Sequence, residues 1–461
     1  MNYTDEMILS ELAENPEMVL GKGASASTLH FCSPAHGGWG VIRTALLVPE
    51  AYLLFVCPPA CGRHGAIAAI EQGQRDRIAY LCLEDREIIL GSYQDEIEKG
   101  IRQIMERVRP RPKALMIFTS CIDDLLGTDH DPLIEGLESD YGIPIRHARM
   151  NPISLDGPLP PPLGIQKTMY ELLLPRPPKA AGSGRGTEAG KAFRSPEKDG
   201  RVLLLGCFKS PAADSELARF LAFCGAGPIA HPDFCGTFES FRSLAQCGAA
   251  LIIRPEGKAA AGDLGSSLGI PVLPAFVGFD RAAVLERYRN MAVFFKSGKE
   301  GELERYFEGA MAEREEREGE LRSVLGDARI ALDGTATCAP FSLALALVQA
   351  GLKVCRIYAN QLPDFEKNAF GKLRGLKGDI VVANPNHAKK YGKRPSAPLA
   401  DISIGFEAAY ATSSPITVPL AFDEYRYGFE GYSTVLKETL KSLAGERYTL
   451  RDQVKAYGLV V

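Results

Sequence analysis

The chain lacks a charge surplus of either sign: 53 Lys and Arg face 57 Asp and Glu, for a net charge of -4 over 461 residues. Without a basic excess there is little to neutralise a phosphate backbone, so nucleic acid is not an expected partner. Long hydrophobic runs are also missing. The longest, residues 51–57 and 343–348, fall far short of the roughly 20 apolar residues a membrane helix needs, so no membrane span is expected. The opening MNYTDEMILSELAENPEM is acidic and has no signal-peptide pattern. The expected compartment is the cytoplasm, where a disulfide framework is disfavoured. No phosphate loop is complete either: GKGASAST, residues 21–28, lacks the Gly-Lys-Ser/Thr ending and follows no strand-like run. A nucleophile-elbow motif is absent, which removes the common hydrolase reading.

What is present is an alternation of short apolar runs with helix-like segments. Residues 51–56, 77–83 and 114–119 read as strands, with helices predicted across 67–74, 94–108 and 133–141. That is the βαβ rhythm of a parallel sheet. Residues 175–200, PRPPKAAGSGRGTEAGKAFRSPEKDG, have linker composition. A second α/β unit follows, with strands at 201–205, 250–254 and 270–273, and ends in a charged helical stretch over 282–324. A third begins with the strand 329–332 and the turn DGTATCAP, continues through the helix 341–350, and closes with a helix near 432–443. The expected division is therefore 1–174, a linker over 175–200, then 201–325 and 326–461. The expected fold class is α/β, three Rossmann-like domains with parallel sheets.

Eleven cysteines are many for such a chain, and the number is odd, which favours metal binding over disulfides. Five of them, Cys57, Cys61, Cys121, Cys207 and Cys338, fall at or just after predicted strand ends. Open parallel sheets bind ligands outside the carboxyl ends of their strands. Cys32 lies in the Gly-rich stretch HFCSPAHGGWGVIR, where backbone can approach a bulky inorganic group. Cys82, Cys224, Cys247 and Cys355 sit in apolar patterns and are expected in the core. The stretch FVCPPACGRHGA, with Cys57 and Cys61 four apart, is either a metal site or a structural pair; its spacing is not that of a tight C-x-x-C.

Taken together, CSPAHGGWG, PPACG and TSCIDDLLGTD resemble the nitrogenase component 1 family. In that family three cysteines of the first domain hold an iron–sulfur cluster at a subunit interface: one in a Gly-rich loop, one in a Gly-Pro-x-x-Cys-Gly turn, one opening a Thr-Cys loop. The resemblance assigns Cys32, Cys61 and Cys121 to those places, and Cys57 becomes an extra thiolate. GFEGY, residues 428–432, and DGTATCAPFSLALALVQAGLKV are similar to the family's third-domain elements. The resemblance implies three α/β domains and a reductase subunit that takes electrons from a separate ATP-hydrolysing iron protein. It implies a partner too, either a second copy or a homologous subunit.

The chain also departs from the family. The cysteine and histidine that fix the nitrogenase cofactor are expected near residues 251–253 and 418, where this sequence has Leu, Ile and Val. Dinitrogen reduction is therefore not expected. A second metallocofactor or a tetrapyrrole in an interdomain cavity would need other ligands; Cys235 and Cys338 are the first candidates, with Cys207, His231 and His387 behind them. The alternative function is a scaffold for metallocofactor assembly with no turnover of its own.

Overall fold

A computed structural model describes residues 4–12, 14–20, 40–59, 61–151, 159–174, 197–387, 389, 395–445 and 449–456. Much of the expected linker, and Cys32 with its Gly-rich loop, lie outside these residues. The chain divides into two compact units: residues 40–208 with 227–274, and residues 1–39 with 209–226 and 275–461.

Strand β1 (Glu6–Ile8) belongs to the second of these units. The first unit holds two parallel sheets. One contains β2 (Ala51–Cys57), β3 (Ile78–Cys82), β4 (Ala114–Ser120) and β5 (Ile145–Met150), in the order β3-β2-β4-β5. The two central strands, AYLLFVC and ALMIFTS, are buried along their whole length, as uninterrupted apolar runs should be when helices cover both faces. The edge strands IAYLC and IRHARM are only partly buried. Against this sheet packs the helix Tyr93–Arg107, which buries Tyr93, Ile97, Ile101, Ile104 and Met105. Tyr93, Ile97, Ile101 and Ile104 recur every three or four residues and, with Met105 beside them, make one apolar stripe; each such side chain contributes roughly 1.5–3 kcal/mol when buried. The helix stops before Pro110 and Pro112, which cannot continue it; Ile101→Asp would place a charge in the middle of the stripe.

The second sheet contains β6 (Val202–Leu205), β7 (Ile229–Ala230), β8 (Ala249–Ile252) and β9 (Val272–Pro274), in the order β7-β6-β8-β9. In the other unit, β10 (Arg329–Asp333), β11 (Lys353–Tyr358), β12 (Val381–Ala383), β13 (Ile402–Ile404) and β14 (Ile416–Val418) are parallel, with β1 added antiparallel on β12. The order there is β1-β12-β11-β10-β13-β14.

The α/β class with parallel sheets is as expected; one element is not. The charged stretch 282–324 is three helices, Arg281–Phe294, Leu303–Tyr306 and Glu308–Leu325. The chain turns between the first two at Lys296 and Gly298, whose φ values of 53° and 69° are left-handed and incompatible with a continuing helix. Among the described residues no helix is long and apolar enough to cross a membrane.

Candidate functional site

Strand order locates the candidate sites. In the first sheet the chain winds from β2 to β3 on one side, then crosses to β4 on the other, so the winding reverses between β2 and β4. Such a reversal opens a crevice at the carboxyl ends of the two strands. Cys57 is the last residue of β2, and Cys121 follows the last residue of β4. The ladder sets them close in register: Val56 is the partner of Thr119. Cys61 comes four residues later in a turn closed by its own N–H, which donates to the Pro58 carbonyl at 2.9 Å. It is exposed, Cys121 is half-buried, and Cys57 is buried.

Cys82 corrects the expectation that it packs in the core. It is exposed, it ends β3, and it is the direct ladder partner of Cys57. An apolar strand at a sheet edge buries its middle and presents its end, and only the pairing shows which end and beside what. Burial pushes the Cys57 thiol up to about 12, and the neighbouring Cys61 and Cys82 push it the same way. A buried thiol held protonated in this way is what a bound cation relieves, because a coordinated thiol is deprotonated outright.

The chain after Cys61 packs on β3 through glycine. A Cβ on Gly62 would stand 2.5 Å from the Tyr80 ring and 3.4 Å from Cys57 Sγ; one on Gly65 would meet Ile42 at 2.6 Å and Tyr80 Oη at 3.1 Å. Tyr80 cannot easily yield, because it stacks on Phe55, which stacks on Phe118. Its hydroxyl is buried and has no hydrogen-bond partner among the described residues. Burial, with Cys57 second, raises that phenol to about 12, so it stays protonated with a hydrogen to donate.

The second sheet reverses between β6 and β8. Gly206, with φ of 99°, follows β6, and a Cβ there would lie 2.3 Å from the Arg254 carbonyl. Cys207 is buried; its Sγ lies 3.3 Å from His231 Nε2, and burial holds the thiol well above its ordinary value. Cys235 is half-buried, and its Sγ donates to the His231 carbonyl at 3.6 Å. Cys247 and Cys224 are buried, as expected of core thiols. Residues 251–253 are buried apolar side chains.

The third sheet reverses between β10 and β13. Here Asp333 accepts from the Thr335 amide at 2.7 Å and hydroxyl at 2.5 Å, from the Ala336 amide at 3.0 Å and from the Ala408 amide at 2.6 Å. Gly405, with φ of 102°, lets the chain pass where a Cβ would be 2.4 Å from the carboxylate. Cys338 sits half-buried in the loop so formed, its N–H donating to Asp423 Oδ2 at 2.8 Å. That partner loop is strained: Phe422, Asp423 and Tyr425 all have φ between 53° and 62°, an uncommon region for non-glycine residues that clusters at functional sites. Cys235 and Cys338 belong to different units. His387 is buried, and its Nδ1 accepts from the Lys389 amide at 3.1 Å.

Residues 37–443 match the family described as nitrogenase component 1 type oxidoreductase. Solved structures agree on the fold. One of "Nitrogenase Cp1 at pH 6.5" superposes with a TM-score of 0.64 at 14% identity, covering 94% of this chain and 96% of its own. A second, "Nitrogenase Cp1 at pH 5", gives 0.61 at 13% identity, covering 95% and 94%. Among curated protein sequences none matches.

Proposed function

Because the chain belongs to the nitrogenase component 1 type oxidoreductases, we propose that it is a subunit of a nitrogenase-like reductase that takes electrons from an ATP-hydrolysing iron protein through an iron–sulfur cluster at the carboxyl edge of the first sheet. The observation that carries this reading is that Cys57 and Cys121 stand at the carboxyl ends of β2 and β4, on the two sides of one strand reversal, with Cys61 in the turn after β2 and Cys82 across the ladder from Cys57. Soft thiolates are the ligands iron–sulfur clusters take. When bound, the cluster supplies one-electron storage. Cys61 and Cys121 would hold it from this edge, with Cys57 beneath. Cys32 joins them on the strength of its motif alone, since it lies outside the described residues. Gly62 and Gly65 let the chain after Cys61 pack closely on Tyr80, whose hydroxyl hydrogen would be available to a cluster sulfur. Three or four cysteines from one chain leave room for a partner, which we take to be a second copy or a homologous subunit.

The substrate-side cofactor, a metallocofactor or a tetrapyrrole, would draw on Cys338 or on Cys235. Cys338 is the better placed, in a strained loop at a strand reversal. The apolar burial of residues 251–253 supports the view that the nitrogenase cofactor itself is not the group bound.

The test is anaerobic purification with iron and sulfide counted per chain, followed by reduction with an iron protein and MgATP under electron paramagnetic resonance. Expected are a stoichiometric cluster that the iron protein reduces and its loss in Cys61→Ser. Iron-free protein whose spectra Cys61→Ser leaves unchanged overturns the reading. A cluster that is present but never reduced favours the scaffold role instead.

A further inference from the structure

Behind Cys121, under the helices that cover the first sheet, four elements bring polar side chains together. Asp123 lies on the short helix Cys121–Leu126, His130 caps the helix Asp131–Tyr141, His147 is on β5, and Tyr93 begins the helix Tyr93–Arg107. Asp123 and His130 are buried and His147 half-buried. One ligand atom from each of these three lies within 4.8 Å of the others.

Asp123 Oδ1 faces His130 Nε2 at 2.5 Å and accepts from the Tyr93 hydroxyl at 2.5 Å. Its other oxygen, Oδ2, is 3.8 Å from His147 Nε2, which in turn lies 2.7 Å from the Thr119 hydroxyl. The second ring nitrogen of His130, Nδ1, is buried and has no hydrogen-bond partner among the described residues. Among the described residues this histidine is thus incomplete, and burying an unpaired polar atom costs about 1–3 kcal/mol. The fold maintains the arrangement from four separate elements nonetheless.

We propose that Asp123, His130 and His147 form a binding site for a divalent first-row transition-metal ion, separate from the cysteine site. Two imidazoles and a carboxylate suit zinc or ferrous iron. An ion at about 2.1 Å from each donor would set the three roughly 3.4 Å from one another, which requires the Asp123–His130 pair to open from 2.5 Å and His147 to close from 3.8 Å. Loading the ion at His130 Nε2 displaces the hydrogen there to Nδ1, so the histidine ligates as a neutral imidazole and no proton is lost. Tyr93 then holds the ligating carboxylate from behind, the outer-partner role that orients metal ligands. The ion would pin the helix that begins with Cys121 to β5 and to the start of the helix Asp131–Tyr141.

The experiment uses the full chain, purified anaerobically, stripped with chelator and titrated with Co²⁺ as the probe. The expected result is one equivalent with ligand-field absorption but no thiolate-to-cobalt charge transfer, unchanged in Cys61→Ser. Tyr93→Phe should weaken binding by roughly 10–100-fold, and His147→Gln, at the half-buried position, by more. Co²⁺ should also raise the melting temperature of the unmodified chain and leave that of His147→Gln unmoved, with circular dichroism confirming that the variant is folded. Binding only with charge transfer, no binding, or full-strength binding in a folded His147→Gln overturns the site and leaves a hydrogen-bond network.

Discussion

The first and third sheets both reverse their winding at a central gap, and both place ionisable groups in that gap, yet they complete them differently. At the third gap Asp333 is fully buried and is met by four donors from Thr335, Ala336 and Ala408. Two more buried carboxylates in the same unit are treated alike. Glu366 accepts from the Phe341 and Ser342 amides at 2.7 and 3.0 Å, and Glu216 from Tyr288, Phe429 and Glu430 at 2.6 to 3.0 Å. In the first sheet Cys57 is the ladder partner of Cys82, and among the described residues neither the Tyr80 hydroxyl nor His130 Nδ1 has a hydrogen-bond partner. Burial alone therefore does not mark a functional group. A buried group whose partners the chain omits does, because the chain bears that desolvation cost with no compensating bond.

The sharpest way to break this contrast is Asp333→Ala. It strands three backbone amides and a hydroxyl, and should lower stability by about 4 kcal/mol or more in denaturant unfolding. Cys57→Ala in metal-free protein, at an equally buried position, should cost only about 1 kcal/mol. Equal losses would erase the distinction.

The next effect is on pH. Burial raises Glu366 from 4.5 to about 8 and Glu216 from 4.5 to about 7. A carboxyl with a raised folded value binds its proton more tightly in the native state, so its stabilisation is lost as pH rises. Below 6.5 His147, depressed from 6.5 to about 4 mainly by burial, pulls the other way, since it must charge on unfolding. The clean window is therefore from about 6.5 to 8. Unfolding free energy should fall there by about 2–3 kcal/mol, and Glu366→Gln should remove most of the slope. A flat profile in unmodified protein would show that these carboxylates ionise freely.

Gly62→Ala tests the packing of the first gap. Its Cβ would strike the Tyr80 ring, itself stacked on Phe55, at 2.5 Å, and overpacking of this kind costs about 1–3 kcal/mol. We expect lower iron retention alongside the stability loss; stability and iron both unchanged would mean that Tyr80 moves freely. The smallest stability effect belongs to Cys82→Ser. This exposed edge position should tolerate the change within about 0.5 kcal/mol, while the spectrum of the bound cluster shifts. An identical spectrum would return Cys82 to a bystander role.

The break at Lys296 and Gly298 was legible in SGKEG, whose first glycine, Gly298, ends the helix by adopting positive φ. Cys82 was not legible, because its apolar run IAYLC is the same whether the strand is central or at an edge. The histidine–aspartate cluster was equally hidden: Asp123, His130 and His147 lie 7 and 17 residues apart in sequence, with no metal-site spacing.

By itself the sequence determined the local rhythm: uninterrupted apolar runs for β2 and β4, amphipathic periodicity for the covering helices, and cysteines placed just past strand ends. These follow from side-chain period and burial, which act over a few residues. The tertiary structure decided which strands became neighbours. The order β3-β2-β4-β5 put Cys57 between Cys82 on one side and the strand leading to Cys121 on the other. It also carried His147 on β5 to the Asp123 helix. Strand order depends on crossovers spanning dozens of residues and on how whole helices pack across a sheet, and no short-range pattern encodes that.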